Sequence, residues 1–251
     1  MANRNQNKSK KSKSIVIETQ NLRKSFRFAK SEISVLRGVD LKVKEGELVV
    51  IFGPSGCGKS TLLNILLGLE EPTTGEVKIL DEEIYNLSPD ERAHFRVRRM
   101  GMVYQQPIWI RSLSVIENVA FPLYNLNLTK TSSLREARLV LSWLGLEKFK
   151  NHYPATLSGG EQQKVTVARA IVANPTIVFA DEPTGNLDTK AAGEVIETLK
   201  FLNRKLGRTV ILVTHNPQYL HLSKSLYYME DGKVFKTSSQ AIAKHIAEIS
   251  I

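Results

Sequence analysis

Gly53-Pro54-Ser55-Gly56-Cys57-Gly58-Lys59-Ser60-Thr61 decides how the rest of the chain is read. The stretch fits G-x-x-x-x-G-K-[ST], the loop that wraps the phosphates of a nucleoside triphosphate. Leu48-Val49-Val50-Ile51-Phe52 enters it as an unbroken apolar run, the pattern of a buried parallel strand. Thr61-Leu62-Leu63-Asn64-Ile65-Leu66-Leu67 leaves it with helix-forming residues and no proline. Strand, loop and helix together predict backbone N–H groups turned towards phosphate oxygens, with the positive end of a helix behind them. In that setting Lys59 neutralises the outer phosphates and the Ser60 hydroxyl holds Mg²⁺. Each residue from Gly53 to Thr61 is a candidate nucleotide contact. The loop alone says only that a nucleotide binds.

A second apolar run, Ile177-Val178-Phe179-Ala180, delivers Asp181 and Glu182 to its carboxyl end. Opposite a phosphate loop, Asp181 is placed to reach Mg²⁺ through its water shell and Glu182 to polarise an attacking water. A helix over about 190–205 then leads to a third buried run, Val210-Ile211-Leu212-Val213, which ends at Thr214-His215. Alternation of such strands with helices predicts a parallel core. Upstream, Ile15–Thr19 is expected as the first strand. Phe26 follows in Leu22-Arg23-Lys24-Ser25-Phe26, then a polar loop, then strand character over Ser34–Leu36 and Val39–Val43. With Glu76–Leu80 after the turn Pro72-Thr73-Thr74-Gly75, these segments predict an antiparallel β-subdomain beside the core.

Ser88, Pro89 and Glu91 mark a helix start by cap, first position and capping box. Met102-Val103-Tyr104 is expected as a strand running into Gln105. From about 106 to 158 the pattern is that of an inserted helical subdomain. Leu134, Ala137, Leu141 and Leu144 share one helical face there, and Gly145 is an end signal. Ser158-Gly159-Gly160 opens the next helix, and Asp231-Gly232 is expected to turn a hairpin. The last residues, 237–251, are expected as a short helix.

The chain has 251 residues, 42% hydrophobic and 24% charged, enough for one large domain of about 15–236. No apolar run approaches the ~20 residues needed to span a bilayer. The single cysteine, Cys57, excludes an internal disulfide, which suits a reducing cytoplasm; inside the loop it is read as a small filler. Net charge is +10, and residues 1–14 hold five of the cations with no acid. That tail lacks apolar residues and is expected to be disordered, with anionic lipid as a candidate contact. No basic–aromatic platform for nucleic acid is present.

With Leu157-Ser158-Gly159-Gly160-Glu161-Gln162 added to the two nucleotide motifs, the chain resembles the nucleotide-binding subunits of ATP-binding-cassette (ABC) transporters over about residues 15–236. The resemblance implies an α/β P-loop ATPase with a RecA-like parallel core, and ATP and Mg²⁺ as cofactors. It also implies a head-to-tail dimer with two ATPs sandwiched. Ser158, Gly159, Gly160 and Glu161 then serve the ATP of a second copy. Phe26 takes the place of an aromatic that stacks on adenine, usually a tyrosine. Gln105 matches the glutamine that touches metal and water, Asp188 the loop crossing the dimer seam, and His215 the histidine on the γ-phosphate. Lys164 stands where arginine is usual.

Glu117-Asn118-Val119 and Ala180–Asp188 are similar to the branch serving macrolide export, lipoprotein release and bacterial division. The loop Gln106-Pro107-Ile108-Trp109-Ile110-Arg111 departs from that branch at Pro107. The implied role is a cytoplasmic ATPase that is peripheral on the membrane and drives an integral permease. A non-transporting, force-relaying regulator shares the same motifs and stays open as an alternative. A soluble cassette acting on DNA or ribosomes is disfavoured by the absence of a second cassette or coiled-coil insertion.

Overall fold

The computed structural model describes residues 13–28, 31–242 and 244. β1 (Ile15–Phe28) and β2 (Ser31–Lys44) form one antiparallel ribbon. β4 (Thr74–Ile79) and the short β5 (Glu82–Glu83) complete a four-stranded sheet in the order β2-β1-β4-β5. The ribbon is longer than the sequence predicts. Phe26 faces Ile33 and Arg27 faces Glu32 where a polar loop was expected. Antiparallel partners satisfy each other's backbone groups, so the ribbon tip needs no buried face. Register shifts, among them one between Thr19 and Leu22, break the alternation that would have marked it.

The second sheet has six strands in the order β10-β9-β3-β8-β7-β6. These are β3 (Leu48–Phe52), β6 (Met100–Val103), β7 (Ile177–Asp181), β8 (Thr209–Thr214), β9 (Ser225–Glu230) and β10 (Lys233–Thr237). All pair in parallel except β10, which turns back along β9. Asp231 and Gly232 make that turn, at φ 46° and 74°. The apolar runs are continuous because both faces are covered. Val49 and Ile51, Ile177 and Phe179, and Ile211 and Val213 point to one core, shared with α1 (Lys59–Leu66) and the first sheet. Val50 and Phe52, Val178 and Ala180, and Val210 and Leu212 point to the other, under α6 (Thr189–Arg204).

α2 (Pro89–Arg99) begins with the Ser88–Glu91 capping box. α3 (Val115–Tyr124), α4 (Lys130–Trp143) and α5 (Gly159–Ile171) share a third core. Ala137 and Leu141 are fully buried in it, and Leu134 and Leu144 pack on its edge. Val165, Ala168 and Val172 supply one wall, so the packing of the inserted helices continues past residue 158 into α5.

Both ends of the chain differ from the expected boundaries. The Ser14 carbonyl already accepts from Glu45 N–H at 2.8 Å, and most of the basic tail, residues 1–12, lies outside the described residues. β10 takes Thr237, so the C-terminal helix starts at residue 239; most of it beyond Ile242 also lies outside the described residues.

Candidate functional site

β3 feeds the loop, and close packing calls for glycine at two of its positions. A Cβ on Gly53 would lie 2.1 Å from the Met229 carbonyl oxygen. Gly58 has φ 107°, with the Val35 carbonyl oxygen 3.1 Å from where its Cβ would stand. Cys57 is buried, and that burial pushes its thiol pKa up, so the group is neutral packing material. Lys59 opens α1 and folds back over the loop. Its Nζ donates to the Gly53 and Pro54 carbonyls at 2.8 and 2.7 Å, which gives the buried amine hydrogen-bond partners in place of water.

The carboxyl ends of β3, β7 and β8 lie side by side, with Phe52 opposite Thr214 and Asp181 opposite Val213. Ser60 Oγ donates to Asp181 Oδ2 at 2.9 Å. Burial, with the adjacent Glu182 charge adding to it, holds the Asp181 pKa above the ordinary range against the opposing pull of Ser60 and Lys59. Glu182 is 9% exposed and has φ 44°, a left-handed backbone that a glutamate rarely adopts. Three contacts hold it there. Its N–H donates to the Val213 carbonyl at 2.9 Å, and Thr214 Oγ1 donates to Oε2 at 3.1 Å. His215 Nδ1 lies 2.6 Å from Oε1. The contact uses Nδ1, and Nε2 of the ring remains for another partner.

Lys59, Ser60, Asp181, Glu182 and His215 line a cavity of about 330 Å³ together with Ser55, Gly56, Gly58, Thr61, Gln105 and Val35. Gln105 lies against Gly185, where a Cβ would come within 2.9 Å of its Nε2. The donor set suits Mg²⁺, which is held by one or two protein oxygens plus phosphates and water. Ser60 and Asp181 are such a pair. Among the described residues no group of three or more His, Cys, Asp or Glu forms an all-protein cage for a metal.

Ser158, Gly159, Gly160 and Glu161 line a different cavity, of about 410 Å³, with Asn186, Leu187, Asp188 and Lys190. Two helix starts meet there: a Cβ on Gly160 would sit 2.8 Å from Ala191 Cβ. Ser158 caps α5, with its hydroxyl and N–H donating to Glu161 Oε2 at 2.7 and 3.0 Å, and this holds the Glu161 carboxyl below its ordinary pKa. Asp188 caps α6 by accepting from Ala191 N–H at 2.8 Å. Lys164 pairs with Glu194.

None of the residues of this second cavity lines the first. Neither does Phe26, which is half-buried on β1 with the Lys24 ammonium 4.8 Å from its ring centroid. The geometry adds Thr214 and Val35, which no motif marked. Thr214 had one available signal, its place at a strand end directly before His215.

The sequence profile described as ABC transporter matches residues 36–185. An uncharacterized ABC transporter ATP-binding protein of Methanocaldococcus jannaschii is 43% identical, covering 87% of this chain and 97% of that one. The lipoprotein-releasing system ATP-binding protein LolD of Pseudoalteromonas translucida is 39% identical over 91% of this chain and 99% of its own length. Among solved structures, the dimeric post-hydrolysis state of an ATP-binding cassette from M. jannaschii, bound to ADP and Pi, superposes with a TM-score of 0.81. That cassette is 38% identical, with 88% of this chain and 98% of that chain covered. The chain belongs to the ABC transporter family, as a cassette that binds and hydrolyses ATP.

Proposed function

We propose that two copies of this chain close head to tail on two ATP molecules and that this closure drives a separate membrane permease of the lipoprotein-release or macrolide-export type. One observation carries the reading. A single chain bears a cavity at the phosphate loop with Lys59, Asp181 and Glu182, and a separate cavity where two helix starts meet at Ser158 and Asp188. Each has what the other lacks, and a second copy brings them together. The dimeric cassette structure and the likeness to LolD support it.

In each composite site the loop amides and Lys59 hold the phosphates, and Phe26 stacks on the base. Ser60, Asp181 and Gln105 would hold Mg²⁺, which would supply charge neutralisation on the phosphate oxygens. Glu182, pinned by Thr214 and His215, accepts a hydrogen bond from the attacking water and takes up its proton. His215 Nε2 faces the γ-phosphate. The partner's Ser158 turn closes the pocket with helix-start N–H groups. Among the described residues no helix is long and apolar enough to cross a membrane, so attachment at the cytoplasmic face is assigned to the permease.

The test is Glu182→Gln. We expect turnover to fall by about 10²–10⁴-fold, with ATP binding kept and an ATP-dependent dimer accumulating in size-exclusion chromatography. A near-wild-type rate would remove Glu182 from this role. Reconstitution with the permease then separates transport from force relay, by whether a hydrophobic cargo leaves the membrane.

A further inference from the structure

The segment that leaves β6 and carries Gln105 is bonded to the first turns of α5 at two points. Gln163, 2% exposed, donates from Nε2 to the Tyr104 carbonyl at 3.0 Å. Five residues on, Trp109 Nε1 donates to Gln162 Oε1 at 3.1 Å. The Gln162 amide is used at both ends, because its Nε2 donates to the Leu157 carbonyl at 3.0 Å. That carbonyl belongs to the peptide whose N–H is that of Ser158. The indole is itself held: the Arg169 guanidinium lies 4.9 Å from its ring centroid and Nη1 donates to the Ile108 carbonyl at 2.5 Å. Trp109 also forms part of the wall of a cavity of about 450 Å³ beside Phe121 and Pro122.

We infer that Trp109 is a positioning residue for the Ser158 turn, and through that turn for the ATP of the second copy rather than its own. The chain of contacts runs from the indole N–H through the Gln162 amide to the Leu157–Ser158 peptide. Without the indole N–H, a half-buried amide oxygen loses its donor and the amide is free to rotate off Leu157. The peptide plane that aims Ser158 then keeps only the bond from Ser158 N–H to Glu161 and loses the one on its carbonyl side. Lys59, Asp181 and Glu182 of the same chain are not in this relay. The inference rests on the head-to-tail dimer proposed above.

Its test asks in which copy the defect appears. A limiting active chain is mixed with a large excess of a Glu182→Gln chain, so that nearly every active copy sits in a mixed dimer with one live site. Wild type with excess Glu182→Gln is the reference. In the first arm the excess chain also carries Trp109→Phe, which keeps an aromatic ring of smaller size and removes the donor. In the second arm Trp109→Phe is on the active chain alone. We expect a fall of about five- to tenfold in turnover per active chain in the first arm, the scale of one lost hydrogen bond, and the reference rate in the second.

Gln162→Leu on the excess chain should reproduce the first-arm loss, and combining it with Trp109→Phe should add little. Equal losses in both arms, or no loss in either, would overturn the relay. Turnover per active chain that stays at the wild-type value when wild type is diluted until it is monomeric overturns the composite site itself, and the relay with it.

Discussion

The phosphate-loop cavity and the Ser158 turn both lie at helix starts, yet they are built by opposite means. The first is assembled from the ends of three neighbouring strands and carries unfavourable electrostatics. Asp181 is held partly desolvated beside a second carboxylate, and Glu182 sits on a left-handed backbone. The second has settled its own needs. Ser158 and Glu161 cap one another, Asp188 caps α6, and Lys164 pairs with Glu194. Strain and buried charge gather where the reaction is assigned. The Ser158 and Asp188 helix starts meet their polar needs with neighbours in the same chain.

Asp181→Asn tests that contrast most severely. The substitution keeps an acceptor for Ser60 and removes the buried charge. Turnover should fall at least ~10²-fold, while the melting temperature of the nucleotide-free protein rises. The pH dependence has a definite sign. Because the folded-state pKa of Asp181 is raised, the folded protein binds more protons than the unfolded one between the ordinary and the raised value. This group therefore subtracts stability as pH rises through that window, and Asp181→Asn should remove its share of the slope in melts across mildly acidic pH. A lower melting temperature for the variant would mean that the carboxylate is not a burden.

On the other side, Asp188→Ala removes a cap from a helix that carries no such strain. The expected cost is about 1 kcal/mol in denaturant unfolding, with the affinity of an isolated chain for ATP unchanged. A loss of ATP affinity comparable to that of a loop variant would show that the two cavities are not separate in one chain.

The smallest effect is expected at Cys57. Its raised thiol pKa and its burial make it packing, so Cys57→Ala should cost about 1 kcal/mol or less and change turnover by no more than about twofold. A large rate loss on mild oxidation of wild type, absent in the variant, would instead give the thiol a function.

Much of this was legible before any coordinates, because it rests on contacts between near neighbours in sequence. The phosphate loop, the doubly covered runs of β3, β7 and β8, the Ser88 cap and the Asp231-Gly232 turn each depend on spacings of a few residues, and such spacings leave patterns. Other features left no such trace. The β1–β2 ribbon is held by cross-strand backbone bonds that are indifferent to side chain, and its bulges blur the alternation. The left-handed turn at Glu182 follows from Val213, Thr214 and His215, more than thirty residues later in the chain. Trp109 and Gln162 meet across 53 residues. By itself the sequence determined which groups the cassette brings to ATP. Only the tertiary structure decided which of them share a cavity and which lie apart from it, because that depends on where the sheet and the α5 and α6 starts come to lie, and no local spacing encodes it.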